Sequence, residues 1–457
     1  MVHQYKNNGR NIVLDVNSGS VHVVDDLAYD AIALYDKKSE EEIVQELKGS
    51  YPENDIREVL EDIRALKDAG QLFTEDIYRD YIMDFKKRKT VVKALCLHVA
   101  HDCNLRCKYC FASTGDFGQG RKIMPPEVAK KAIDFVIARS GKRRNIEVDF
   151  FGGEPLMAWD TVTQTVDYAR SLEEKYNKKF RFTITTNGLL LDEDKRKYIN
   201  ENMDNCVLSL DGRREVNDEF RKTVAGTGSY DTIVPKFKAL VDERDPNLDY
   251  YARGTFTSHN LDFAEDVLSI ADAGFDRLSV EPVTADPGCG YDLTEDDLPK
   301  IEAEYDRLTD IMLERKKEGK PFTFFHFMVD LDQGPCVVKR LRGCGAGYEY
   351  VAVTPDGDIY PCHQFVGKDE FKQGSVLDQS FNMDIAQKFA GMNIYSRPKC
   401  QKCWAKFYCS GGCSAANYNM NHDMNDSYDL GCEMERKRLE CAIYLKAMDK
   451  ICANQSK

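Results

Sequence analysis

No apolar run in these 457 residues approaches the ~20 residues that span a bilayer. The N-terminal stretch Met-Val-His-Gln-Tyr-Lys-Asn-Asn-Gly-Arg lacks the basic start and apolar centre of a secretory signal. The expectation is therefore a cytoplasmic protein with no membrane partner. Basic charge is also in short supply: 63 Lys and Arg stand against 77 Asp and Glu, a net charge of −14. That disfavours nucleic acid, whose phosphates call for a basic footprint. Low-complexity tracts and clear internal repeats are missing too. What remains is an ordinary globular balance, 42% hydrophobic and 31% charged, long enough for two to four domains.

Cysteine, by contrast, is plentiful. In a reducing compartment sixteen cysteines are not expected to form disulfides, which leaves metal ligation or catalysis. Cys103, Cys107 and Cys110 form C-x3-C-x2-C, with Tyr109 before the last. Three thiolates fill three corners of a cubane iron–sulfur cluster and leave its fourth iron free for another ligand. A zinc site or a chance grouping is the alternative. Seven more cysteines lie between Cys344 and Cys432. Cys344 is followed by Gly357 and Cys362, then by Cys400-x2-Cys403-x5-Cys409-x3-Cys413, and last by Cys432. A zinc ribbon would account for the Cys400/Cys403 pair alone.

The chain between these groups is an α/β pattern. Residues 1–85 read as a small separate domain. Strand signals at 11–16 and 21–24 flank Asn-Ser-Gly-Ser, helical patterns cover 27–35, 40–47 and 54–69, and Leu72-Phe73 suggests a last short strand. Strand signals then recur at 94–99, 146–151, 180–186, 206–210, 250–257 and 277–281, with helical patterns between them, for example at 126–139 and 262–273. Such alternation predicts parallel strands with crossover helices, and six units fit a partial (β/α)6 barrel. Chemistry in such barrels sits at the C-terminal strand ends, where the Cys103 loop follows the first strand. Residues 285–330 suggest a helical bridge, with a charged, solvated helix at 302–320. Cys96, Cys206, Cys441 and Cys452 are expected to be small buried residues. His98 and His101 are expected to pack rather than ligate.

The C-x3-C-x2-C run followed one strand later by Gly152-Gly153-Glu154-Pro155 resembles the radical S-adenosylmethionine (SAM) superfamily. The resemblance implies that SAM binds the open iron and that an electron from the cluster releases a hydrogen-abstracting 5′-deoxyadenosyl radical. It further implies that Gly152, Gly153, Glu154 and Pro155 hold the SAM ammonium, that Ser209 and Arg221 contact its carboxylate or ribose, and that Tyr109 flanks adenine. The other reading of Ser209 and Arg221 is a loop hydroxyl and a surface arginine. Asp211 would hold its loop, and Glu281 would touch substrate or cap a loop. The seven C-terminal cysteines resemble the SPASM domain, which carries two auxiliary [4Fe–4S] clusters. By that resemblance Cys344, Cys362 and Cys413 serve a proximal cluster, and Cys400, Cys403, Cys409 and Cys432 a distal one. The fourth proximal position falls to Cys336 or stays open to a substrate thiolate, the preferred reading. Ten of the sixteen cysteines then hold three clusters.

The order of parts resembles maturases of ribosomally made peptides, closest to those of the six-cysteines-in-forty-five-residues (SCIFF) peptides. This implies a winged-helix-like recognition domain at 1–85, where a leader peptide adds to a sheet edge. A radical SAM core follows at 90–320, a bridge at 321–343 and a SPASM domain at 344–457. A DNA-binding winged helix is the other reading of the first part, but its third helix mixes acidic and basic residues and suits a groove poorly. The implied activity is thioether formation between a cysteine sulfur and a carbon of a cysteine-rich precursor peptide, with flavodoxin or ferredoxin as electron donor. A sulfatase-maturase-like formylglycine-forming enzyme and an iron–sulfur redox-sensing binding protein are the alternatives. The peptide's identity, the attacked carbon, the general base and the oligomeric state are not legible.

Overall fold

Strand and helix alternate from residue 94 onward, and the strands assemble in the order of their succession. The computed structural model describes residues 1–80, 91–331 and 341–455. The N-terminal part contributes β1 (Val2–Asn7), β2 (Arg10–Asp15), β3 (Val21–Val24), α1 (Asp26–Tyr35), α2 (Glu40–Leu47) and α3 (Glu53–Asp68). The central part contributes β4 (Ala94–His101), β5 (Lys122–Ile123), α4 (Pro126–Arg139), β6 (Asn145–Gly152), α5 (Trp159–Tyr176) and β7 (Lys179–Thr186). It continues with α6 (Glu193–Asn202), β8 (Asn205–Ser209), α7 (Arg214–Phe220), α8 (Tyr230–Asp242), β9 (Asp249–Phe256), α9 (Phe263–Asp272), β10 (Arg277–Pro282), α10 (Leu298–Lys317) and β11 (Thr323–Phe324).

The six expected strands are all present and pair in parallel in the order β10-β9-β8-β7-β6-β4. β11 extends one edge in parallel. At the other edge the sheet runs on into β12 (Tyr350–Val353), parallel to β4, and then antiparallel through β13 (Asp358–Tyr360) and β14 (Gly374–Ser375). Position 344 therefore marks no break in the sheet. Ile146, Val148 and Phe150 on β6 and Phe180, Phe182 and Ile184 on β7 alternate into one core. Each such burial is worth about 1.5–3 kcal/mol. The register of β4 on β6 shifts between His98 and Ala100, just before the Cys103 loop, and a bulge there re-aims the strand end.

The first three strands form their own antiparallel sheet, β1-β2-β3. Asp25 caps α1 by accepting from the Ala28 amide at 2.8 Å, and Ser39 with Glu42 forms a capping box at α2. Ile56, Leu60 and Ile63 of α3 are buried beneath the sheet, with Val59 and Leu66 beside them. The other face of this sheet is not free. Tyr5, Ile12, Leu14 and Val16 pack with Cys400, Phe407, Ile443 and Tyr444 of the C-terminal part, and the His3 ring stacks on Trp404 at 3.9 Å.

Several expectations are corrected. The chain begins with a third strand, β1, whose mostly polar sequence hides it. Leu72-Phe73 is not a strand: Phe73 has φ +55°, and Thr74 is held by side chains, its amide donating to Asp15 and its carbonyl accepting from Asn17. The charged helix at 302–320 is half buried, with Ile301, Tyr305 and Leu308 of α10 packed inward. Cys96, Cys206 and Cys441 are buried, but Cys452 is exposed. Cys336 lies outside the described residues.

Candidate active site

The C-terminal ends of β4 and β6 to β10 surround a cavity of 250 Å³. Cys103, Cys107 and Cys110 line it, together with Tyr109, Gly152, Gly153, Glu154, Ser209 and Arg221. Pro155 is buried behind the wall. The cysteine loop is knitted to the end of β6 by backbone. The Gly153 amide donates to the Ala100 carbonyl at 2.7 Å, and the Glu154 amide to the Asp102 carbonyl at 2.9 Å. A Cβ on Gly153 would sit 2.1 Å from the Asp102 oxygen, and one on Gly152 (φ +132°) 2.2 Å from the Ala100 oxygen. Only glycine permits that approach.

The glutamate of this turn is spoken for. Its carboxylate accepts from the Leu156 amide at 3.0 Å, the Thr186 hydroxyl at 2.7 Å and the Asn187 amide at 2.7 Å. Burial nonetheless pushes Glu154 up to about 7, since a buried carboxylate without a cation favours its neutral form. A ligand ammonium would supply that cation. On the opposite wall the Tyr109 hydroxyl donates to the buried Asp211 carboxylate at 2.6 Å. Arg221 Nε lies 3.0 Å from Asp211 but at an angle that leaves it without a hydrogen bond. Asp211 thus holds the loop, as expected, and also orients two of the expected SAM contacts.

The ten cysteines expected as cluster ligands fall into three groups in space. Cys103 receives hydrogen bonds from the Leu105 amide at 3.4 Å and Asn187 Nδ2 at 3.6 Å. Cys110 is met by the amides of Ala112, Thr114 and Gly115. Amides aimed at sulfur suit a cluster thiolate. Burial pushes the Cys103 and Cys107 thiols up to about 12, so metal must displace protons there.

Cys344, Cys362 and Cys413 face one another, the thiols of Cys344 and Cys362 both lying close enough to Cys413 to feel it. Cys400, Cys403, Cys409 and Cys432 form the third group. The elements explain this. Here α11 (Met383–Gly391), α12 (Pro398–Gln401), α13 (Lys406–Cys409), α14 (Ser414–Asn421) and α15 (Asp429–Gln455) follow β14. Cys413 caps the start of α14, and Cys432 is in the first turn of α15. Their positive helix ends therefore face the thiols. Lys399 clips the start of α15 to the Cys400 turn through Asp429 at 2.7 Å.

Between the second and third groups lies Arg397, only 3% exposed. It donates to the Gly411 carbonyl and, at 2.9 Å, to the Ser414 hydroxyl, while its Nε has no hydrogen-bond partner. Its charge faces the thiols of Cys400, Cys409, Cys413 and Cys432. A buried cation with an orphaned donor needs an anion, and thiolate-ligated clusters on both sides fit that need. Among the described residues no three His, Cys, Asp or Glu side chains group as around a single metal ion. A cubane spreads its ligand sulfurs over several irons.

The sequence placed Glu281 at this mouth but missed the rest of the far wall. Arg253 on β9 pairs with Glu281 at 2.6 Å, and His363 lines the same cavity. His363 was findable as the residue after a ligand cysteine. Arg253 carried no signal beyond its place near a strand end. His98 and His101 are buried packing residues, 3.1 Å apart.

Residues 97–249 match the radical SAM superfamily, and residues 344–404 match the SPASM iron–sulfur cluster-binding domain. The chain is 25% identical to a cysteine-type anaerobic sulfatase-maturating enzyme of Clostridium novyi, over 73% of this chain and 90% of that one. Its fold is similar to anSMEcpe with bound AdoMet (TM-score 0.64, 21% identity, 80% of this chain and 100% of that one). It is also similar to Streptococcus suis SuiB bound to precursor peptide SuiA (TM-score 0.54, 16% identity, 93% of this chain and 97% of that one). Among the described residues no helix is long and apolar enough to cross a membrane. Motif and thiol grouping agree with these matches: a segment like the radical SAM superfamily at 97–249 is followed by one like the SPASM iron–sulfur cluster-binding domain at 344–404.

Proposed function

We propose that this protein is a radical SAM maturase that forms thioether cross-links in a cysteine-rich, ribosomally made precursor peptide. When bound, SAM and three [4Fe–4S] clusters supply a hydrogen-abstracting radical and a sink for the surplus electron. Cys103, Cys107 and Cys110 hold the first cluster, with Tyr109, Gly152, Gly153, Glu154, Ser209 and Arg221 around SAM. Cys344, Cys362 and Cys413 hold the proximal cluster, and Cys400, Cys403, Cys409 and Cys432 the distal one. The observation that carries the reading is continuity. His363 and Gln364, next to Cys362, line the cavity that holds the Cys103 loop. A three-thiol group thus adjoins the radical site, where a substrate thiolate is needed.

The N-terminal part is proposed to capture the leader. Within the described residues β3 pairs only with β2, and its edge opens on a cavity of 420 Å³ walled by Leu331 and the end of α15. An added strand fits such an edge. The likeness to SuiB, a chain bound to a precursor peptide, extends over 93% of this chain and supports the same reading.

The second reading, a sulfatase-type maturase, is favoured by the similarity to the Clostridium novyi enzyme. The test is an anaerobic reaction of the reconstituted protein with SAM, dithionite and the cysteine-rich peptide encoded beside its gene. Loss of two hydrogens with one thiol blocked to alkylation is the expected product. An aldehyde in place of the cysteine would establish the second reading, and absence of SAM turnover would remove both. Deleting residues 1–85 is a poor test of capture, because it bares the face packed on Cys400 and Phe407. Hydrogen exchange is better: leader binding should slow the amides of β3, and unchanged exchange would overturn the role.

A further inference from the structure

Each cross-link removes two hydrogens from the peptide, and only one leaves as an atom. The other leaves the thiol as a proton and needs an acceptor in the cavity. Two carboxylates line that cavity, Glu154 and Glu281. Glu154 already accepts three hydrogen bonds from protein. We propose that Glu281 is the base that receives the substrate's proton, an inference that rests on the radical peptide-oxidation reading above.

Glu281 stands at the C-terminal end of β10, facing the mouth. One of its oxygens, Oε2, accepts from Arg253 Nη2 at 2.6 Å. The other, Oε1, is 3.7 Å from His326 Nε2, too far for a hydrogen bond. Among the described residues no donor lies within hydrogen-bond distance of Oε1. His326 stands behind the group. Arg438 Nη1 lies 3.2 Å from His326 Nδ1, and a guanidinium can only donate. Nδ1 is therefore the acceptor, and the ring hydrogen sits on Nε2, the atom turned to Ser279 Oγ at 3.1 Å and to Glu281. Burial holds His326 down near 3, so it stays neutral and does not take the proton onward. Burial raises Glu281 as well, but the Arg253 and Arg438 guanidiniums outweigh it and hold the carboxyl below its usual range.

The step balances. The C–H bond breaks with its hydrogen atom passing to the 5′-deoxyadenosyl radical. The S–H bond breaks with its proton passing to Glu281 Oε1. The carbon–sulfur bond forms, and the one electron left over goes to an iron–sulfur oxidant. The requirement is the same for oxidation to an aldehyde precursor, so the role does not depend on which product forms.

The experiment compares wild type, E281Q and E281D as reconstituted full chains with SAM, dithionite and the peptide encoded beside the gene. E281Q should keep 5′-deoxyadenosine formation within threefold and lose peptide oxidation by about 10²–10⁴-fold, the range for removal of a general base. E281D should recover part of the coupling. Infrared difference spectra of the cluster-loaded protein without SAM, wild type minus E281Q, should show an ionised carboxylate at pH 7. Full coupling in E281Q, equal uncoupling in E281D, or a protonated carboxyl in the spectrum would overturn the proposal. So would an E281Q variant that assembles its clusters but no longer cleaves SAM. If wild type oxidises no peptide, the reading on which the base rests fails with it, an outcome separate from an active wild type beside a coupled E281Q.

Discussion

Replacing Arg397 by Met keeps the stem and removes a buried cation from between the two SPASM thiol groups. The guanidinium is 3% exposed and faces Cys413 on one side and Cys400, Cys409 and Cys432 on the other. A unit charge about 7 Å from a cluster, in a medium of effective dielectric about 20, interacts with one added electron by about 2.4 kcal/mol. For a one-electron couple that is roughly 0.1 V, taking 59 mV per tenfold change. Losing the cation makes each auxiliary cluster harder to reduce. Arg397→Met should therefore lower both auxiliary midpoint potentials by about 0.1 V and leave that of the Cys103 cluster in place, as read by redox titration with electron paramagnetic resonance. The metal-free chain should respond oppositely. Burial raises the Cys409 and Cys432 thiols and keeps them protonated, so they do not compensate the cation, and the variant should be no less stable than wild type. A shift confined to one cluster would place Arg397 outside the gap between them. An equal shift at the Cys103 cluster would mean a general loss of structure and would refute the reasoning.

Three further variants probe other links. Glu154→Gln keeps most of the acceptors for Leu156, Thr186 and Asn187, so thermal stability should change little while SAM affinity, by equilibrium dialysis, falls at least about tenfold through loss of the charge partner; unchanged affinity would remove Glu154 from SAM binding. Gly115→Ala sets a Cβ 2.6 Å from that of Cys103 at φ +104°, so iron content should fall by one cluster's worth while the C-terminal clusters persist. Asp76→Ala strands Lys406, its 2.7 Å partner, and unbonds Tyr395. Breaking a largely buried pair costs about 3–5 kcal/mol, to be checked by denaturant unfolding. The carboxyl of Asp76 is held below its usual range: burial alone would raise it, and Lys406 and Tyr395 more than offset that. Its contribution is thus present above the ordinary aspartate pKa and is lost as pH falls through the lowered one.

Legibility followed chemical singularity. Cysteine spacing announced the three groups, and the strand positions of the barrel were readable because branched and aromatic residues alternate there. β1 escaped because Val-His-Gln-Tyr-Lys-Asn shows little alternation, and it is held by pairing with β2 and by burial against α15. The partner of Glu281 on the far wall of the cavity escaped for a different reason. Arg253 and Glu281 are 28 positions apart in the chain and meet only because β9 and β10 pair in register, with Arg253 opposite Ser279. No local pattern encodes that. Helix α10 misled because its charged face is the larger one in composition, while a few residues, Ile301, Tyr305 and Leu308, decide where it packs.

The pairing of β12 with β4 has a consequence for the chemistry. β4 delivers the Cys103 loop, and β12, hydrogen-bonded beside it from Tyr350 to Val353, leads through β13 directly to Cys362. The distance between the first thiol group and the second is therefore set by one strand pair, not by a flexible linker between domains. Tyr350 sits in that pair, and its hydroxyl reaches His363 Nδ1 at 3.3 Å, so the strand also fixes the residue that lines the cavity next to Cys362. A carbon radical is captured productively only if its partner is held within bonding reach, and a spacing set by sheet register is far stiffer than one set by packing of separate bodies. This is a physical reason for the 344–404 segment to enter the barrel's own sheet between its first two cysteines, Cys344 and Cys362.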